Sequence, residues 1–307
     1  MGGSGRGGDE NRRGHVWRVR DGRRLLMTPS LIAQLPGVGA APRGTDPGGS
    51  WRHAPNDPLQ LTHGEVHVWR VDLNRSVPAL PALLATLAPH ELAKGVRHRF
   101  ERDRNRYVLA HGALRSIVAR YVDASPRDLR FRYGLRGKPE LASGALHFNM
   151  SSSHDLAVVA IGRPGPIGVD IERLRDGVDL EVIRCFAPRA GHVLRALPKT
   201  ARHTAFFQAW ARMEAYEKAR GEGLEAGLEA LERFLDQYDV LQSPHRATGA
   251  ERGWWFHDFS PRKGYVGALA VARAECAIRY WQWRAEDVGS AKHRESNSVE
   301  CGSGIQM

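Results

Sequence analysis

Apolar and polar positions alternate at two periods along this chain, and the change from one to the other marks its elements. GEVHVWRVDL (64–73) alternates in steps of two and is rich in β-branched residues, as a half-buried strand requires. PALLATLAPHELAKG continues with helical spacing. From about Phe100 to Val122, Tyr107, Ala110, Leu114, Ile117, Val118 and Tyr121 recur every three or four positions, which predicts a longer helix with arginines on its other face. After a turn at GLRGKP (134–139) come two strand-like runs, HFNMSSS (147–153) and LAVVAIG (156–162), and then a third, IGVDIERL (167–174). Helical patterns cover 179–197 and 201–220, and WWFHDF (254–259), YVGALAVAR (265–273) and CAIRYWQW (276–283) read as late strands. Strands flanking helices twice over predict an α+β fold in two halves, each of about a hundred residues.

The flanks have a different character. Residues 1–62 are rich in Gly, Pro and Arg and bury little, so a flexible extension is expected there, with Met27 as an alternative beginning. The first half then spans 63–165 and the second 166–285, and 286–307 forms a polar tail. Arg23 and Arg24 precede an apolar stretch that faintly resembles an export signal, but Thr28, Pro29, Ser30 and Gln34 interrupt it. No apolar run is long enough to cross a bilayer, so no membrane partner is expected.

Charge narrows the partners. The 307 residues carry 45 Lys and Arg against 34 Asp and Glu, a formal charge of +11, which favours a polyanionic small molecule, an acidic protein or nucleic acid. Part of this excess lies in the extension, at Arg6, Arg12, Arg13, Arg18, Arg20, Arg23 and Arg24, so the folded part is less basic than the total. Three cysteines, Cys185, Cys276 and Cys301, form no CxxC pair and fit a reducing cytoplasm.

Two acidic groups carry the candidate chemistry. In the strand IGVDIERL, Asp170 and Glu172 project to one face while Val169 and Ile171 point to the core. Such a pair is either two exposed acids at a strand end, with Arg173 and Arg175 as partners, or part of a cation site. In FQAWARMEAYEKARGEGL (207–224), Glu214 and Lys218 stand one helical turn apart on one face, which by itself reads as an ordinary surface ion pair. Three carboxylates meeting at one point would suit Mg²⁺, which shares its shell with water and substrate phosphates, and Lys218 would then face a phosphate. Histidines 147, 154, 192 and 203 lack the spacing of a zinc site. Gly221 is expected to stop the helix through a left-handed cap, and Trp254 and Trp255 to be core or rim.

FNMSSS, GVDIE and WARMEAYEKARGEGL, in this order, together with RDRNRYVLAHGALR (102–115), GKP (137–139) and YVGALAVA, resemble the motifs of the 4′-phosphopantetheinyl transferases of the Sfp type. The resemblance covers roughly residues 64 to 283 and implies a fold of two pseudo-symmetric α+β halves with coenzyme A in the cleft between them. Members transfer the phosphopantetheine arm of coenzyme A to a serine of an acyl or peptidyl carrier protein in fatty acid, polyketide or nonribosomal peptide biosynthesis. On that analogy Asp170, Glu172 and Glu214 hold Mg²⁺, Glu214 also helps remove the serine proton, and Lys218 contacts a phosphate. Arg106, Lys138, Ser151, Ser152 and His154 would be further coenzyme A contacts.

Two positions depart from the family pattern. Ser152 stands where FNxSHS has histidine, and a serine supplies no charge, although His154 would substitute if the strand continued through it. Met213 stands where WxxKEA has lysine; it either removes a phosphate contact or simply packs. These departures leave open a relative recruited to another biosynthetic step, or a catalytically silent protein that only binds carriers. An alternative of a different class is nucleic-acid binding through the arginine-rich extension, though nucleic acid is not the expected partner.

Overall fold

The computed structural model describes residues 15–18, 24–27 and 51–289, apart from 56–58, 123, 164, 176–182, 184–186, 222–230, 232–233, 236–252 and 273–275. Of the arginines named in the extension, Arg6, Arg12, Arg13, Arg20 and Arg23 lie outside the described residues, as do the greater part of the predicted helix start at 179–186 and the tail after 289.

Strands β1 (His15–Arg18) and β2 (Arg24–Met27) form an antiparallel pair of their own. The main body begins with β3 (Arg52–His53) and β4 (Glu65–Asp72), followed by α1 (Leu80–Leu84), α2 (Pro89–Gly95) and the long α3 (Glu101–Ala119). Short strands β5 (Phe131–Tyr133) and β6 (Pro139–Leu141) pair around the GLRGK turn. Then come β7 (His147–Ser153), β8 (Leu156–Gly162), β9 (Ile167–Arg173), α4 (Pro188–Ala196), α5 (Lys199–Arg220), β10 (Trp254–Phe259), β11 (Tyr265–Ala272) and β12 (Ala277–Gln282).

Five strands make one sheet in the order β3-β12-β4-β8-β7, and three make another in the order β10-β11-β9. The two sheets pack face to face through Val66, Val68, Val158 and Ala160 on one side and Ile167, Val169, Ile171 and Leu269 on the other. Helix α3 covers the outer face of the five-stranded sheet, with Leu114 and Ile117 against Trp69, Val159 and Ile161. Helix α5 covers the outer face of the other sheet, where Trp210, Met213 and Tyr216 meet Phe256, Ala268 and Ala270. β8 lies between layers on both faces, and so LAVVAIG is apolar throughout rather than alternating. The long helix does not keep all its arginines outside: Arg115 is buried, 2.7 Å from Glu91, and donates to the carbonyls of Pro126 and Leu129.

The segment boundaries differ from the expectation at both ends. Residues of the presumed extension belong to the body, since β3 pairs with β12, Ala54 is buried, and Leu59 and Leu61 pack on the first core. The sequence-based second half does not stay whole either. β12 returns to run parallel to β4 with Trp281 opposite Trp69, and the 3-10 turn Ala285–Gly289 buries Asp287 beside α3. The reason is that β4 would otherwise be an open edge carrying apolar side chains, and an edge of that kind must be covered.

Candidate active site

Three elements bring the site together. In β9, Val169 and Ile171 face the other sheet, while Asp170 and Glu172 face α5, as strand alternation demands. α5 approaches β9 so closely that a Cβ on Gly168 would lie 1.9 Å from the Ala215 carbonyl and 2.5 Å from the Ala219 amide. Only glycine fits there, which explains the first residue of GVDIE and sets the helix residues Glu214 and Lys218 over the strand carboxylates. The helix ends at Gly221, whose φ of 73° and bond from its amide to the Glu217 carbonyl make the expected left-handed cap.

The third element is β7, the edge of the five-stranded sheet that lies alongside β9. Its alternation sends Phe148 and Met150 to the first core, and Asn149, Ser151 and Ser153 toward β9. No ladder of backbone bonds joins the two strands; side chains do so instead. Asn149 Oδ1 accepts from the Val169 amide at 2.9 Å, Ser151 Oγ donates to Asp170 Oδ1 at 2.7 Å, and Ser153 Oγ donates to Glu172 Oε2 at 3.1 Å.

Lys218 closes the cluster. Its ammonium is 2.5 Å from Asp170 Oδ1, 3.0 Å from Ser151 Oγ and 3.5 Å from Glu214 Oε2. Asp170 is 2% exposed and Glu214 6%, so the helix pair is no surface decoration. Burial pushes the Asp170 carboxyl well up; Lys218 works against this, and Glu214 and Glu172 reinforce it. Glu172 is also raised, by burial and then by Glu214, with Arg175 opposing. Burial alone would lower the Lys218 ammonium, but Asp170 and Glu214 outweigh it and hold it above the usual lysine range.

Among the described residues no three of the His, Cys, Asp or Glu side chains already stand as a metal shell, because the ammonium of Lys218 fills the cation position between Asp170 and Glu214. The donor chemistry nevertheless fits an oxygen-seeking divalent cation: Asp170 Oδ2 is buried with no hydrogen-bond partner, and three mutually repelling carboxylates face one place. A cavity of about 200 Å³ opens beside the cluster, lined by Arg136, Lys138, Asn149, Met150, Glu214 and Lys218 among others.

The remaining predicted residues are spread around this centre. Lys138 lines the cavity and donates to the Ala219 carbonyl at 2.8 Å and the Ile167 carbonyl at 3.2 Å, tying the β5–β6 turn to the last turn of α5. Burial lowers its ammonium to about 8. Ser152 is exposed on the face of β7 opposite to Ser151. Arg106, on α3, is half-buried and 3.4 Å from Asn74 Oδ1.

One expectation is corrected, and one of the two readings of Met213 is selected. β7 stops at Ser153, and His154 sits in the turn with φ 56° and 3.2 Å from Asp155, so it does not continue the strand face of Ser152. Met213 does not face the cavity; it is 0% exposed in the core of the second sheet, since α5 is buried on nearly every side. The sequence reading assigns no role to Asn149, Ser153 or Arg136. Their signal was the strand alternation of FNMSSS, which places positions 149 and 153 on the face of Ser151, and the basic residue inside GLRGKP.

The family model of the 4′-phosphopantetheinyl transferase superfamily matches residues 166–270, the stretch that carries β9, α5 and β11. The 4′-phosphopantetheinyl transferase HetI of Nostoc sp. is 37% identical over 231 residues, which cover 73% of this chain and 95% of that protein. The 4′-phosphopantetheinyl transferase Sfp of Bacillus subtilis is 28% identical over 158 residues, covering 50% of this chain and 69% of the relative. With nearly the whole length of a relative matched at this identity, the chain belongs to the 4′-phosphopantetheinyl transferase superfamily and is a transferase.

Proposed function

We propose that this transferase takes the 4′-phosphopantetheine arm from coenzyme A and delivers it to a serine hydroxyl of an acyl or peptidyl carrier protein. The observation that carries this reading is the buried Asp170–Lys218–Glu214 cluster, with Ser151 bonded into it, at the wall of a cavity that also receives Lys138 and Arg136. Attack on a pyrophosphate needs positioning and neutralisation of charge on the leaving phosphate, and these residues supply both. Asp170, Glu172 and Glu214 would hold Mg²⁺, which when bound neutralises pyrophosphate charge. Lys218 would contact a phosphate, Glu214 would accept the proton of the attacking serine, and Arg106, Lys138, Ser151 and Ser152 would contact coenzyme A. The basic balance of the chain favours encounter with an acidic carrier. Fatty acid, polyketide or nonribosomal peptide synthesis in the cytoplasm is the setting in which such an acceptor is met. Among the described residues no helix is long and apolar enough to cross a membrane.

The direct test incubates several apo carrier proteins with the full chain, coenzyme A and Mg²⁺ and weighs them by mass spectrometry. Addition of the arm to a carrier, lost on chelation of the metal and restored by Mg²⁺, is expected. Carriers that stay unmodified under all conditions would remove the reading. The packing of Met213 in the core takes away one of the two grounds for a silent relative, and Ser152 alone remains.

A further inference from the structure

The two halves are also tied at a place outside the carboxylate cluster. The loop between β10 and β11 bears Arg262, which reaches back to the first half with Nη2 2.5 Å from Asp155 Oδ1 and Nη1 3.3 Å from Asp72 Oδ2. Arg70 on β4 donates to the Pro261 carbonyl in the same loop at 2.7 Å. Tyr265 donates its hydroxyl to Asp155 and stands 3.4 Å from the Ser153 carbonyl.

Asp155 is thereby a junction with two branches. One runs through Tyr265, whose hydroxyl also lies near the Ser153 carbonyl, to Glu172, which accepts from Ser153 Oγ at 3.1 Å. The other runs through Asn74, whose Nδ2 is 3.3 Å from Asp155 Oδ2, to Arg106, 3.4 Å from Asn74 Oδ1. Because β7 and β9 share no backbone ladder, side-chain bonds help to set their spacing, and the Arg262 bridge adds a charge-assisted tie between the two halves beside them.

We propose that Arg262 is a positioning residue: held by Asp155 and Asp72, it fixes how far the two halves stand apart, and so sets Arg106 on one half and Glu172 on the other at the separation that coenzyme A spans. The proposal rests on coenzyme A being the donor. It differs from a merely stabilising contact in what it predicts for binding, since a shift of about 1 Å between substrate-holding groups is felt in substrate affinity and rate.

Steady-state kinetics of the full chain decide it, with coenzyme A varied at saturating carrier and carrier varied at saturating coenzyme A. Arg262→Ala is expected to raise the KM for coenzyme A about tenfold while the carrier KM stays within about twofold, and Arg262→Lys to recover only part of the loss, because one ammonium does not reproduce the fork that spans Asp155 and Asp72. Should Arg262→Ala fail to fold, Asp155→Asn keeps the side-chain shape and carries the same expectation. Unchanged KM values, with any lost rate matching the folded fraction seen by circular dichroism, would overturn the proposal. If the wild-type chain binds coenzyme A by calorimetry but modifies no carrier, the acceptor assignment fails and the role of Arg262 is judged by the coenzyme A Kd alone: about tenfold weaker binding in the variant upholds it, and an unchanged Kd overturns it. If the wild type binds no coenzyme A, both fall.

Discussion

The ammonium of Lys218 lies 2.5 Å from one carboxylate oxygen of Asp170, a residue 48 positions earlier in the chain, and only 3.5 Å from Glu214 on its own helix. The closer bond is therefore the long-range one. Replacing Lys218 by Met leaves Asp170 and Glu214 facing each other without their cation. Transfer activity should drop by about 10²- to 10³-fold, the range seen when a fixed electrostatic contact is deleted from a reacting centre. A rate within threefold of wild type in a carrier-modification assay would show that Lys218 serves the fold alone.

Gly168→Ala tests whether the helix must lie against the strand. The added methyl would overlap the Ala215 carbonyl at 1.9 Å, a backbone atom that cannot swing aside. A loss of about 1–3 kcal/mol or more is expected, together with loss of activity as Glu214 and Lys218 are lifted from Asp170. A thermal melt at the wild-type temperature would show that the helix has room to move.

Position 213 separates packing from chemistry. Met213→Lys introduces the residue that the family pattern prefers, yet it would place an ammonium in the apolar layer among Tyr216, Phe256 and Ala270. The variant should be less stable by about 2 kcal/mol or more and gain no activity. Ser152→His is the contrasting case. That side chain is exposed, so stability should change by less than about 0.5 kcal/mol while coenzyme A binds more tightly, because a protonated imidazole adds charge for a phosphate. Denaturant melts read the stability of both variants, a carrier-modification assay reads the activity of Met213→Lys, and isothermal calorimetry against coenzyme A at pH 6 and pH 8 reads the binding of Ser152→His.

Lys138 makes coenzyme A binding depend on pH. Its ammonium is lowered to about 8, so in the free protein it loses its proton as pH rises through that value, while an unfolded chain keeps it until near 10.5. In the folded chain the charged form is the disfavoured one, so this lysine's contribution to stability rises with pH between about 8 and 10.5, fully present above that window and absent below it. A bound phosphate favours the charged form. Coenzyme A affinity should therefore weaken from pH 7 to pH 9, and binding at pH 8 should take up protons, seen as a dependence of the calorimetric enthalpy on buffer. Lys138→Arg, charged throughout, should flatten the profile.

Much of the architecture follows from local pattern. β7, β8 and β10 begin and end where the local apolar pattern of the chain places them, and the Gly221 cap closes α5 where the glycine follows the last basic residues. The carboxylates of GVDIE and the Glu214–Lys218 pair were legible as two separate faces, because strand and helix periods fix which side chains point together.

What the period could not convey is the direction in which a helix buried all round is turned. α5 has buried residues on every side, so Met213 and Glu214, adjacent and both inaccessible, face a core and a site respectively with no contrast of polarity around the helix to tell them apart. The sequence by itself determined the longer strands, the two long helices, the glycine cap of α5 and the residues able to do chemistry. Tertiary structure alone decided that β12 returns to β4, that His154 turns away, that Lys218 binds Asp170, and that Arg262 spans the two halves. Those pairings join positions dozens to hundreds of residues apart, and such contacts are chosen by how the layers stack and which edges must be covered rather than by any repeat within the chain.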